Sequence, residues 1–122
     1  MSSSPTLDAQ VLLAATLGRS RAWLLAHPEI ELSDSQARSY VESLEQVLAG
    51  TALPHVLGEW EFYGRRFRLS PAVLIPRPET ELVVEKALEL AGAVDGSPSV
   101  LDVGTGCGCL AITLAMELPA AR

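Results

Sequence analysis

The sequence predicts a chain that is α/β overall: a small all-α helical N-terminal module over residues 1–52, a turn and β-hairpin linker over 53–75, and the opening of a parallel α/β unit over 76–122. Three observations predict it. Apolar residues recur at helical spacing through the N-terminal part, bounded by capping residues and by proline and glycine breaks. Four of the six aromatic residues fall between Trp60 and Phe67, on either side of Gly64, in a period-two pattern. A short apolar run ending in Asp102 then feeds a turn with glycine at every second position and an apolar helix.

The elements follow in order. Ser4 and Pro5 open a helix whose apolar positions are Leu7, Val11, Leu12 and Ala15, and Gly18 ends it. A second short helix spans about Ser20 to His27 and stops at Pro28. The third carries a capping box, Ser33 with Gln36, and a Leu32–Ala37 staple. Its apolar stripe is Ala37, Tyr40, Val41, Leu44, Val47 and Leu48, closing at Gly50. Helices this short are marginal alone and must pack on one another. Pro54 to Gly58 reads as a turn region, followed by a hairpin with Trp60, Phe62, Phe67 and Leu69 on one greasy face. Pro78 opens a further helix with Glu79 and Glu81 in its first turn and an expected buried face of Leu82, Val83, the Lys86 stem, Ala87 and Leu90. A loop from Gly92 to Pro98 leads into a strand at 99–103.

An apolar content of 48% is ample for a core, and the net charge of −6 argues against nucleic-acid binding through phosphate neutralisation. The close-set Arg65, Arg66 and Arg68, with Arg77 nearby, read as a charged hairpin edge. No apolar stretch reaches the roughly 20 residues of a membrane span. The start, Met1-Ser-Ser-Ser, lacks a signal peptide's basic and apolar regions, so a cytoplasmic location is expected. Cys107 and Cys109 lack companion metal ligands, and His27 and His55 lie far away, so no metal site is expected; both cysteines read as reduced packing residues. No triad or paired-carboxylate constellation can be assembled.

The glycine turn is the one motif that carries chemistry. Glycines at 104, 106 and 108 allow positive φ and close backbone approach to a ligand, while the next helix offers unpaired N–H groups. Two nucleotide readings fail. The dinucleotide pattern needs a third glycine where Cys109 stands, and a Walker loop needs a lysine that is absent here. The remaining pattern, Asp-x-Gly-x-Gly-x-Gly from Asp102, resembles the first motif of class I S-adenosylmethionine-dependent methyltransferases.

A second string makes the resemblance specific. Val73-Leu74-Ile75-Pro76-Arg77-Pro78-Glu79-Thr80-Glu81, the upstream Gly58-Glu59-Trp60-Glu61-Phe62-Tyr63-Gly64 and the helical module before it resemble the N-terminal portion of the HemK-type (PrmC/HemK) protein-glutamine N5-methyltransferases of peptide chain release factors. The resemblance implies the first β-α unit of a Rossmann-like domain, here truncated, with S-adenosylmethionine as cofactor and a role in translation termination. It implies that Asp102, Gly104, Thr105, Gly106, Cys107 and Gly108 bind the cofactor, and that Arg77, Pro78, Glu79 and Thr80 line the pocket. For Arg77 and Glu79, a cap and ion pair organising the following helix is the competing role. The expected partners are release factors, with no membrane, no direct sequence-specific nucleic acid and a monomeric state.

The family's catalytic Asn-Pro-Pro-Tyr motif is absent, and the sequence holds no Asn at all, so catalytic residues are expected beyond Arg122 and the chain alone is expected to be inactive. Its better-folded part is expected to be the N-terminal half, because a lone parallel strand and its helix lack burial partners. Two other functions compete: a non-catalytic docking module for a release factor or the ribosome with a vestigial loop, and, more remotely, a nicotinamide enzyme.

Overall fold

The computed structural model describes residues 4–93 and 96–122, which fall in two compact units, Met1–Leu57 and Gly58–Arg122. Part of the loop expected between Gly92 and Pro98, and the first three residues, lie outside the described residues.

The first unit is helical. Helix α1 (Pro5–Leu17) has proline in its first turn and ends on Gly18 at φ 63. There the Gly18 N–H donates to Ala15 O and the Arg19 N–H to Ala14 O, a Schellman closure that satisfies two terminal carbonyls. Helix α2 (Arg21–Ala26) starts where the Ser20 side chain accepts from the Trp23 N–H at 3.1 Å. Helix α3 (Asp34–Leu48) carries the expected capping box, with Ser33 and Gln36 each bonding the other's backbone N–H. Gly50, at φ 100, closes it in the same manner as Gly18, Thr51 N–H reaching Gln46 O. Residues 53–57, expected as a turn, form instead a short helix α4 (Leu53–Leu57) around buried Pro54. A proline in the first turn gives up no needed donor, so the helix costs the backbone nothing there.

Helix α1 packs against α2, α3 and α4, around Leu12, Ala14 and Leu24. Burying Leu12 alone contributes about 2 kcal/mol. The α3 stripe is narrower than expected: Ala37, Tyr40, Leu44 and Val47 are half-buried, but Val41 and Leu48 are exposed. An apolar residue one step off the contact face of a helix with few neighbours simply stays in water.

The second unit begins with the hairpin β1 (Glu59–Phe62) and β2 (Arg65–Arg68), antiparallel with Trp60 opposite Phe67 and Phe62 opposite Arg65. Tyr63 at φ 51 and Gly64 at φ 69 make the two-residue connection, the positive-φ pair that matches the twist of the strands. Opposite charges face each other at Glu59–Arg68 and Glu61–Arg66. Phe62 meets Phe67 edge to face at 6.2 Å, and both enter a core with Val84, Cys109 and Leu114.

After a 3₁₀ turn (Pro78–Thr80), helix α5 (Glu81–Gly92) buries Val84, with Ala87 and Leu88 packed beside it. Of the expected face only Ala87 packs inward. Leu82, Val83, Lys86 and Leu90 are exposed, because α5 packs on α6 (Cys109–Glu117) through the neighbouring stripe. Phe62, Val84 and Thr113, three of the four most deeply buried side chains among the described residues, belong to the second unit. The hairpin, expected as a linker, supplies that core.

The strand expected at 99–103 does not form as such among the described residues. Sheet structure exists only through pairing, and here the pairing is minimal. The Val100 N–H donates to Arg122 O at 2.8 Å and the Arg122 N–H to Pro98 O at 3.0 Å. Bonds from one residue to two flanking positions on its neighbour are those of a parallel ladder. Leu101 and Val103, 86% and 84% exposed, have no such neighbour.

Candidate functional site

The site is built where residues 98–103 meet α6. Gly104, Gly106 and Gly108 adopt φ of 81, 59 and 80, so the turn is glycine-dependent at each alternate position. A Cβ on Gly104 would meet nothing within 4 Å, and one on Gly106 only the Gly104 carbonyl at 3.9 Å. The bend is thus open at Gly104 and Gly106, while Ile112 Cδ1 lies 3.2 Å from where a Gly108 Cβ would stand. Its internal bonds are few: Gly108 N–H donates to Thr105 O at 2.9 Å, and the Thr105 hydroxyl donates to Asp102 O at 3.1 Å. Among the described residues the amides of Gly104, Thr105, Gly106 and Cys107 make no hydrogen bond within the protein. Helix α6 starts at left-handed Gly108 with no side-chain cap, leaving first-turn donors directed at the same space.

Asp102 is half-buried, and its carboxylate Oδ2 is shielded from water without a partner. A carboxylate oxygen in that condition costs free energy unless a cation or donor meets it. The combination of open amides beside an orphaned acid fits a zwitterionic amino-acid group, amides to its carboxylate and Asp102 to its ammonium. Thr113 Oγ1, buried in α6, is also unpartnered.

Cys107 is half-buried and Cys109 buried. Burial pushes the Cys109 thiol up from 9.0 to about 11, helped by the adjacent Cys107 and its hydrogen bond. Both cysteines are free, as expected.

Arg77, Pro78 and Glu79 are exposed and Thr80 half-buried, in the turn that opens α5. No ion pair or side-chain cap hydrogen bond links Arg77 and Glu79 among the described residues, and Glu79 stands in the first turn, where the helix dipole favours an acid. No hydrogen bond joins residues 77–80 to the glycine turn; the two segments are connected through the packing of α5 on α6. Glu81 is the residue the sequence reading placed too modestly. Its carboxylate accepts the Tyr63 N–H at 2.8 Å, tying the hairpin tip to α5. Arg65 donates to Tyr63 O and pairs with Glu117 at 2.6 Å, tying the same tip to the end of α6. The signal was present in the acid-rich string at 79–81, but a helix dipole explained it without a partner.

A helical module followed by a hairpin-cored α/β unit with an open glycine turn defines the class of chain. Residues 2–58 match the PrmC N-terminal domain family. The chain is 48% identical over 116 residues to the release factor glutamine methyltransferase of Koribacter versatilis, covering 95% of this chain and 41% of that protein. It is 45% identical over 122 residues to that of Chlorobaculum tepidum (97% and 42%) and 44% identical over 119 residues to that of Bordetella pertussis (97% and 43%). Over nearly its whole length the chain is thus similar to release factor glutamine methyltransferases, and it spans about two fifths of the length of the curated relatives it matches. Among the described residues no helix is long and apolar enough to cross a membrane.

Proposed function

We propose that this chain carries the helical module, hairpin and first cofactor-holding turn of an enzyme that methylates the side-chain amide nitrogen of the glutamine in the Gly-Gly-Gln loop of peptide chain release factors, in the cytoplasm. The observation that carries the reading is the partnerless Asp102 Oδ2 beside a turn whose amides are open. S-adenosylmethionine would supply a sulfonium-activated methyl group and an amino-acid end of complementary charge. Asp102 would accept the ammonium, the amides of Gly104, Thr105, Gly106 and Cys107 would donate to the carboxylate with Gly108 shaping the turn, and Arg77, Pro78, Glu79 and Thr80 would flank the pocket. The ladder bonds between residues 98–100 and Arg122 support the start of a parallel, Rossmann-like sheet.

An amide nitrogen is a poor nucleophile because its lone pair is delocalised, so transfer depends on holding the glutamine in line and stabilising developing charge. Nothing in these 122 residues, which include no Asn, offers that second half of the site, and the chain alone is inactive in this reading. Calorimetry with S-adenosylhomocysteine tests the cofactor assignment. Binding that Asp102→Ala weakens tenfold or more is the expected result; tighter binding of NAD, or affinity indifferent to Asp102, would overturn it. A second reading, a docking module with a vestigial loop, draws on exposed Val41 and Leu48 beside Glu42 and Glu45 on α3. It predicts no cofactor affinity.

A further inference from the structure

Cys107 and Cys109 are separated only by Gly108, which sits at φ 80 and ψ 7. A left-handed residue compacts the chain as much as a helical one, placing the flanking Cα atoms about 5.4 Å apart, where extended backbone would hold them roughly 7 Å apart. Only the compact spacing falls within the window of about 4.4–6.8 Å that disulfides span. Both side chains also sit against one core, Cys109 buried within it and Cys107 packed against it. The turn is held in this form by the Gly108 N–H to Thr105 O bond, and a Cβ at Gly108 would press on Ile112 Cδ1 at 3.2 Å.

We propose that Cys107 and Cys109 form a peroxide-responsive dithiol, a modification site in the glycine turn that closes to an intramolecular disulfide across Gly108. Cys107, the less buried thiol, is the one a small oxidant reaches first. Its thiolate attacks hydrogen peroxide: an S–O bond forms, the O–O bond breaks, and the departing hydroxide takes a proton to leave as water. Cys109 then loses its proton and attacks the Cys107 sulfenic sulfur as thiolate, the slow step, because burial holds its thiol up at about 11. The S–S bond forms, the S–O bond breaks, and the hydroxyl departs with the Cys109 proton as a second water. Two thiols lose two electrons and one peroxide gains them. A bridge across a single residue is strained, and strained bridges are easily reduced, so the modification is reversible.

The test uses the 122-residue chain, treated with equimolar hydrogen peroxide and then iodoacetamide. Alkylation is expected to fall from two labels to none, with the peptide containing both cysteines lighter by two hydrogens, and dithiothreitol should restore both labels. Cys107→Ser and Cys109→Ser should each give oxygen addition or linked chains instead. A chain of native circular dichroism that keeps either thiol alkylatable, or that gains oxygen on Cys107 while Cys109 stays free, would overturn the proposal. Phenylarsine oxide, which bridges paired thiols, should bind the unsubstituted chain and neither serine variant; failure to bind the unsubstituted chain counts against it equally.

Discussion

Asp102 and Gly108 divide the labour of the turn between charge and shape. The carboxylate brings one oxygen out of water with nothing to meet it, a cost a folded chain accepts only where a ligand or another segment repays it. Gly108 serves as the hinge: its positive φ both starts α6 and sets the direction of the amides before it. Gly108→Ala should lose about 1–2 kcal/mol of stability from left-handed strain, read as a lower urea midpoint. Gly92→Ala is the control, because that glycine ends α5 with open space where a Cβ would go; there the helix should gain up to about 1 kcal/mol. Equal losses at both positions would show that the turn at 108 has no special backbone demand.

At the level of elements, the hairpin tip is fixed from two sides, by Glu81 at the start of α5 and by Arg65 with Glu117 at the end of α6. Removing the Glu81 acceptor leaves the half-buried Tyr63 N–H unpaired, so Glu81→Ala should cost about 1.5–3 kcal/mol, with Glu81→Gln closer to the original. Denaturant unfolding followed by Trp60 fluorescence measures both, and a neutral Glu81→Ala would show the bond to be incidental. These ties were not legible in the sequence, because they join residues 18 and 52 positions apart and ordinary surface roles explain each partner. Local chemistry was legible. The Ser33–Gln36 capping box, the helix end at Gly18 and a hairpin around Gly64 follow from a few adjacent residues and stand as expected. Faces were read less well: α5 has apolar residues on two stripes, and only tertiary packing selects Val84 and Ala87 over Leu82 and Leu90.

Across the whole chain, two compact units each hold their own core, one around Leu12 and Leu24, the other around Phe62 and Val84. Apolar surface remains uncovered at Leu82, Leu101 and Val103. The second unit nonetheless presents its glycine turn in an open form, and that is the central claim. The direct measurement is residue-resolved amide NMR of this chain titrated with S-adenosylhomocysteine to millimolar concentration. The account predicts shifts concentrated at Gly104, Gly106, Cys107 and Gly108, lost in Asp102→Ala. Amides in the turn that stay unmoved, while shifts arise in the helical module or nowhere, would contradict it.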